Sequence, residues 1–102
     1  MIVYVSIGNS DDKLSQQEWH DFVNAVLKTL IQASIQRHGV WFSLPQSQWQ
    51  NACWCVEFDD AYPEPAVWAK RRLGELAAEY RQDSIAWAVA ETEFIAPEPS
   101  RV

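Results

Sequence analysis

The feature that most constrains this fold is the tetrapeptide Ser15-Gln16-Gln17-Glu18, which opens the longest helical period in the chain. The Ser15 hydroxyl and the Glu18 carboxylate can each take an orphan backbone N–H, a capping box. Apolar residues then follow at 19, 22, 23, 26, 27, 30 and 31, the 3.6-residue period of a one-faced helix. The spacing predicts a helix over 15–36, capped by Gly39, with Arg37 and His38 at the end where the helix dipole favours cations. Before it, the β-branched and aromatic block 2–8 stops at Gly8-Asn9-Ser10, which predicts a strand and a turn. After it, 40–44 and 51–58 read as two strands joined by the polar segment Pro45 to Gln50. Pro63 and Pro65 break the second of these, because proline removes a donor and fixes φ. Ala66, Ala69, Leu73, Leu76, Ala77 and Tyr80 then predict a second helix over 65–82. Residues 84–94 read as a last strand and 97–102 as a flexible tail.

The order βαββαβ, with no internal repeat, predicts a single α+β domain over 1–96: a ferredoxin-like sandwich, a four-stranded antiparallel sheet with two helices on one face. That fold implies the sheet order 4-1-3-2. The register of the third strand stays open, since a one-residue slip exchanges Trp54 for Cys53 and Cys55 on the helix side.

With 8 Lys+Arg against 14 Asp+Glu the net charge is −6, and only Lys70-Arg71-Arg72 places cations side by side. No basic footprint for nucleic acid or an anionic membrane is present, so neither is expected as a partner. Apolar runs fall far short of the roughly 20 residues that cross a bilayer. Asn9-Ser10-Asp11-Asp12 interrupts any secretory leader, so the expected location is the cytoplasm. Cys53 and Cys55 stand two apart in a strand, too far for a disulfide, and are expected to be free thiols packed as small hydrophobes. A C-x-C pair needs two more ligands to hold zinc, and the two histidines, His20 and His38, lie at different places on the first helix. No metal or other cofactor is expected.

The fold gathers four polar segments at one edge of the sheet: Asn9-Ser10-Asp11-Asp12-Lys13, the 45–50 loop with Trp49 and Asn51, Arg81-Gln82-Asp83-Ser84, and the Ser15 end of the first helix. Asn9, Ser10, Asp11, Asp12, Lys13, Trp49, Asn51, Arg81 and Asp83 are therefore candidate ligand-binding residues for a small polar molecule. Turn chemistry and acids at helix starts explain the same residues without a ligand. Asp11-Asp12 could hold a hard cation, or serve the dipole with Lys13 neutralising one carboxylate. As catalytic material, Asp11 or Asp12 with Arg81 and Asn51 is the one constellation available, and it leaves enzymatic activity undecided.

Six tryptophans in 102 residues are the most unusual feature of the composition. Side-chain alternation in strands turns Val3, Val5 and Ile7 one way and Tyr4 and Ser6 the other. The open sheet face is expected to carry Tyr4 with Trp54 or Trp87 and Trp41, an aromatic surface of the kind that marks an interface. A homodimer formed sheet to sheet, a pocket for a nucleotide-like ligand, and a heterologous protein compete for it.

The blocks Tyr4-Val5-Ser6-Ile7-Gly8-Asn9-Ser10-Asp11-Asp12-Lys13-Leu14, Trp49-Gln50-Asn51-Ala52-Cys53-Trp54-Cys55 and Tyr80-Arg81-Gln82-Asp83-Ser84-Ile85-Ala86-Trp87 resemble those of small uncharacterised proteins of actinobacteria and their phages. The resemblance implies a phage or prophage accessory protein acting in the bacterial host's cytoplasm, and no particular chemistry. The element order is also similar to that of the βαββαβ nucleases of CRISPR adaptation, in which an acid ends strand one; here Asn9 stands nearest that position. The function expected is non-catalytic binding of a host protein through an acidic and aromatic surface. The alternative is sequestration of a nucleotide-like small molecule at the Asn9, Asn51 and Arg81 edge.

Overall fold

The computed structural model describes residues 1–99. In chain order the elements are β1 (Ile2–Gly8), a short 3-10 turn (Ser10–Asp12), α1 (Gln16–Ala33), β2 (Gln36–Phe42), β3 (Asn51–Glu57), α2 (Glu64–Glu79) and β4 (Ala86–Ala90). The strands form one antiparallel sheet in the order β2-β3-β1-β4, with both helices on one face: the ferredoxin-like α+β sandwich.

The capping box forms as the sequence predicts: Glu18 N–H donates to Ser15 Oγ and Ser15 N–H donates to Glu18 Oε1, each at 3.1 Å. The far end of α1 differs from expectation. The helix stops at Ala33, and Ser34 closes it by donating from both N–H and Oγ to the Leu30 carbonyl at 2.9 and 2.6 Å. Ile35 N–H then donates to the Glu57 carbonyl at 2.9 Å, which draws the chain straight into the sheet. Gly39 is therefore a strand residue beside a bulge, not a helix cap, and Arg37 and His38 lie in β2. His38 Nε2 meets Glu57 Oε1 at 2.9 Å.

α2 ends at Glu79, three residues earlier than its periodicity suggests, because its C-terminus is a Schellman motif without glycine. Gln82 N–H donates to Ala77 O at 2.8 Å and Arg81 N–H to Ala78 O at 3.2 Å, while Arg81 takes the left-handed φ of 55° that glycine normally supplies. β4 is shorter than the 84–94 expected: Ala90 pairs with Ile2, the first residue of β1, so the ladder has no partner further on. Residues 91–99 carry no helix or strand. Part of the proposed 97–102 tail, residues 100–102, lies outside the described residues.

The core lies between the sheet and the helices. Val3, Val5 and Ile7 of β1, Ala52, Trp54 and Val56 of β3, and Phe22, Val26 and Leu30 of α1 are all buried, as are Ala69, Leu73 and Leu76 of α2. The β1–β3 register, with Val5 opposite Trp54, fixes the open question of strand three: the tryptophan points to the helices and the two cysteines to the open face.

Candidate functional site

The polar edge assembles as expected, but as a self-satisfied knot. Asn9 is 5% exposed and is the centre of the bonding in the β1–α1 turn. Its Oδ1 accepts from Leu14 N–H at 2.9 Å, and its Nδ2 donates to Leu14 O at 3.1 Å and Gln50 Oε1 at 3.2 Å. The backbone adds Asn9 N–H to Gln50 O at 3.0 Å, which ties the end of β1 to the start of β3. Ser10 N–H donates to Gln82 Oε1 at 2.9 Å, and Gln82 Nε2 in turn donates to Tyr80 O at 3.0 Å. Gln50 and Gln16 exchange side-chain hydrogen bonds at 2.9 and 3.3 Å.

Of the charged candidates, Arg81, Lys13 and Asp83 are paired. Arg81 Nη2 donates to Glu18 Oε2 at 2.7 Å and to Lys13 O at 3.4 Å. Lys13 Nζ stands 3.7 Å from Asp83 Oδ1, so it neutralises Asp83 and not Asp11 or Asp12. The Arg81 guanidinium and the Ser15 N–H hold the Glu18 carboxyl below its ordinary value. Asp11 and Asp12 are exposed, at φ of 51° and 53°, in a left-handed turn that aspartate tolerates better than most residues. Asn51 donates from Nδ2 to Trp49 O at 3.1 Å, and its Oδ1 lies 3.0 Å from where a Cβ on Gly8 would stand, so any larger residue there would make the Asn51 side chain shift. The Trp49 side chain is exposed. Among the described residues no group of three or more His, Cys, Asp or Glu is placed to hold a metal ion.

The sequence reading missed Gln50, Gln82 and Glu18 as partners at this edge. A single glutamine carries no spacing signal, and its role follows only from which turns the topology brings together.

The open sheet face is where exposure and apolarity coincide. Tyr4 and Trp41 lie there, 44% and 59% exposed, with Cys53 and Cys55 between them by register. Together with Gly39 and Val40 they line a shallow hollow of about 220 Å³. The thiol of Cys55 beside Tyr4 pushes the tyrosine hydroxyl above its ordinary value. Both thiols are free and half-buried, so they floor a surface and are not the enclosed core residues expected.

Trp54 and Trp87 are corrected. Both lie opposite Val5 across β1's two ladders and so face the helices. Trp54 is 2% exposed, and Trp87 packs on Phe58 at 5.3 Å between ring centroids with the Lys70 ammonium 5.2 Å from its own. The Trp87 indole N–H is buried without a hydrogen-bond partner among the described residues. Alternation orients β1 correctly, but in β3 and β4 the parity that faces inward is fixed only by the ladders with β1.

No helix among the described residues is long and apolar enough to cross a membrane. No protein-family model, curated protein or solved structure matches this chain, so its function is argued from the geometry of these two regions.

Proposed function

We propose that this chain is a non-catalytic binding protein, of the accessory kind that phages use, and that it engages a host protein through its open sheet face. The observation that carries this reading is the pair Tyr4 and Trp41, two large aromatic side chains left exposed over a hollow floored by Cys53 and Cys55. Exposed tyrosine and tryptophan over a shallow apolar floor is the composition of a protein-binding hot spot. The net charge of −6 steers the chain toward a basic partner and speeds association. The nucleotide-like reading has less support, because the amides of Asn9, Gln50 and Gln82 are spent on one another and on backbone groups.

The test is retention from host extract on the immobilised protein and on a Tyr4→Ala/Trp41→Ala double variant. The expected result is one host protein retained at low salt, released at high salt, and retained at least about tenfold less by the variant. Equal retention by both, or none by either, defeats the reading.

A further inference from the structure

The edge of the sheet beside that face is unguarded. β2 is the terminal strand in the order β2-β3-β1-β4, and all seven of its residues, Gln36 to Phe42, are exposed. Ser43 N–H donates to Asn51 O at 3.0 Å. That makes Ser43–Asn51 a hydrogen-bonded pair, and by alternation Trp41–Cys53 and Gly39–Cys55 are too. The backbone N–H and C=O groups of Val40 and Phe42 therefore point away from β3. Sheet proteins usually protect such groups with a charge, a proline or a bulge. The bulge between Arg37 and Gly39 protects one end, and Val40-Trp41-Phe42 carries no charge and no proline.

The side chains of Val40, Trp41 and Phe42 make this part of the edge apolar on both faces. Val40 and Phe42, 52% and 50% exposed, lean to the helix side. There, with Leu27 of α1, Trp54 and, toward the start of the strand, Arg37 and His38, they line a groove of about 270 Å³. Trp41 stands on the opposite, open face.

Charge selects the occupant. All 14 acidic residues lie before Phe22 or after Val56, and the segment between carries only Lys28 and Arg37 as formal charges. Two copies at −6 each repel over most of their surfaces, and β2 is central to the stretch where no carboxylate belongs to the approaching chain segment. Arg37, at the bulged end, is the strand's one formal charge, and Val40-Trp41-Phe42 carries none to steer a charged peptide.

We propose that β2 pairs antiparallel with β2 of a second copy about a two-fold axis through Trp41, joining two sheets into one of eight strands. Val40 lies opposite Phe42 of the second copy and Phe42 opposite its Val40, so the outward groups of both chains close about four main-chain hydrogen bonds. Trp41 meets its own counterpart as a non-hydrogen-bonded pair, the closer type, with Cβ atoms about 4.5–5.5 Å apart. The second copy's Val40 and Phe42 extend the wall of the groove beside Leu27, and the two open faces become one surface with the tryptophan pair at its centre. The dimer is independent of the host partner's identity.

Sedimentation velocity from about 1 to about 100 μM, a range that spans weak self-association, is the first arm. The wild-type chain is expected to pass from monomer to dimer and Val40→Lys to associate at least tenfold more weakly. The second arm tests register in a Cys53→Ser/Cys55→Ser background under mild oxidation. Trp41→Cys is expected to give a covalent dimer and Val40→Cys, which faces Phe42 of the other copy, little or none. A wild-type chain that stays monomeric throughout the range overturns the proposal. So does a dimer that Val40→Lys leaves intact, or equal cross-linking at 40 and 41, either of which points to another interface. Monomeric protein whose β2 is covered only on adding host extract would assign the edge to a heterologous strand instead.

Discussion

The polar edge around Asn9 and the strand β2 differ in what each leaves unpaired. The edge collects amides, acids and two cations, the material of a binding site, yet its polar groups face each other: Asn9 alone is engaged by Leu14 and Gln50, and Arg81 and Lys13 each have a carboxylate. β2 holds one full cation and a run of plain apolar residues, yet its outward backbone groups and the side chains of Val40, Trp41 and Phe42 stand in solvent. Recognition depends on what a folded surface still has to offer, and a cluster of functional groups that is internally satisfied offers little. A buried polar group unpaired by substitution costs its full desolvation, whereas an exposed apolar group costs the monomer little and gains on association.

Two tryptophans give the largest expected difference. Trp54→Ala is expected to destabilise the fold by about 3–5 kcal/mol, since it empties a core position. Trp41→Ala is expected to cost the monomer under about 1 kcal/mol, as surface substitutions do. Urea unfolding at a protein concentration low enough to keep the chain monomeric measures both. Similar losses would mean that Trp41 is packed in the monomer and that β2 is not free.

Asn9→Ala comes next, at about 2–3 kcal/mol, because it strands the buried Leu14 N–H and removes the link to Gln50. A ligand-binding asparagine held open for a substrate would change stability far less. A near-neutral Asn9→Ala would restore the polar edge as a candidate site.

How far the sequence carried the fold depends on whether each signal was local. The capping box at Ser15 and Glu18 is complete within four residues, so the start of α1 was legible and correct. The order of periodicities likewise sufficed for the ferredoxin-like sandwich. The end of α2 was overshot because Arg81 takes the left-handed place of a glycine, held by Glu18 across the edge, and nothing in its own neighbourhood announces that. The end of α1 was overshot because Ile35 is drawn out by the Glu57 carbonyl, a contact 22 positions away in the chain. The inward parity of Trp54 and Trp87 is set by pairing with Val5, again non-local. The turns that converge at the polar edge were identified from topology, but that their groups satisfy one another depends on Gln50 and Gln82, whose side chains carry no pattern.

The smallest expected effect tests whether the polar edge's charges serve the fold. Glu18 is ionised more readily in the folded chain than in the unfolded one, with Arg81 as the main cause and the Ser15 N–H as the second. A carboxyl held below its ordinary value contributes stability that is present above that ordinary value and is lost as pH falls through the lower, folded-state value. Thermal unfolding of the wild-type chain from neutral pH down through the carboxylate range is therefore expected to show an acid decline that Glu18→Gln makes shallower. The variant keeps an oxygen able to accept the Ser15 N–H, so the cap survives while the charge is removed. Because the pair is exposed, the difference is expected to be small and to shrink further in salt. Parallel acid limbs for the two proteins would mean that Arg81 is not committed to Glu18 in solution, which would return a free guanidinium to the edge and weaken the contrast with β2.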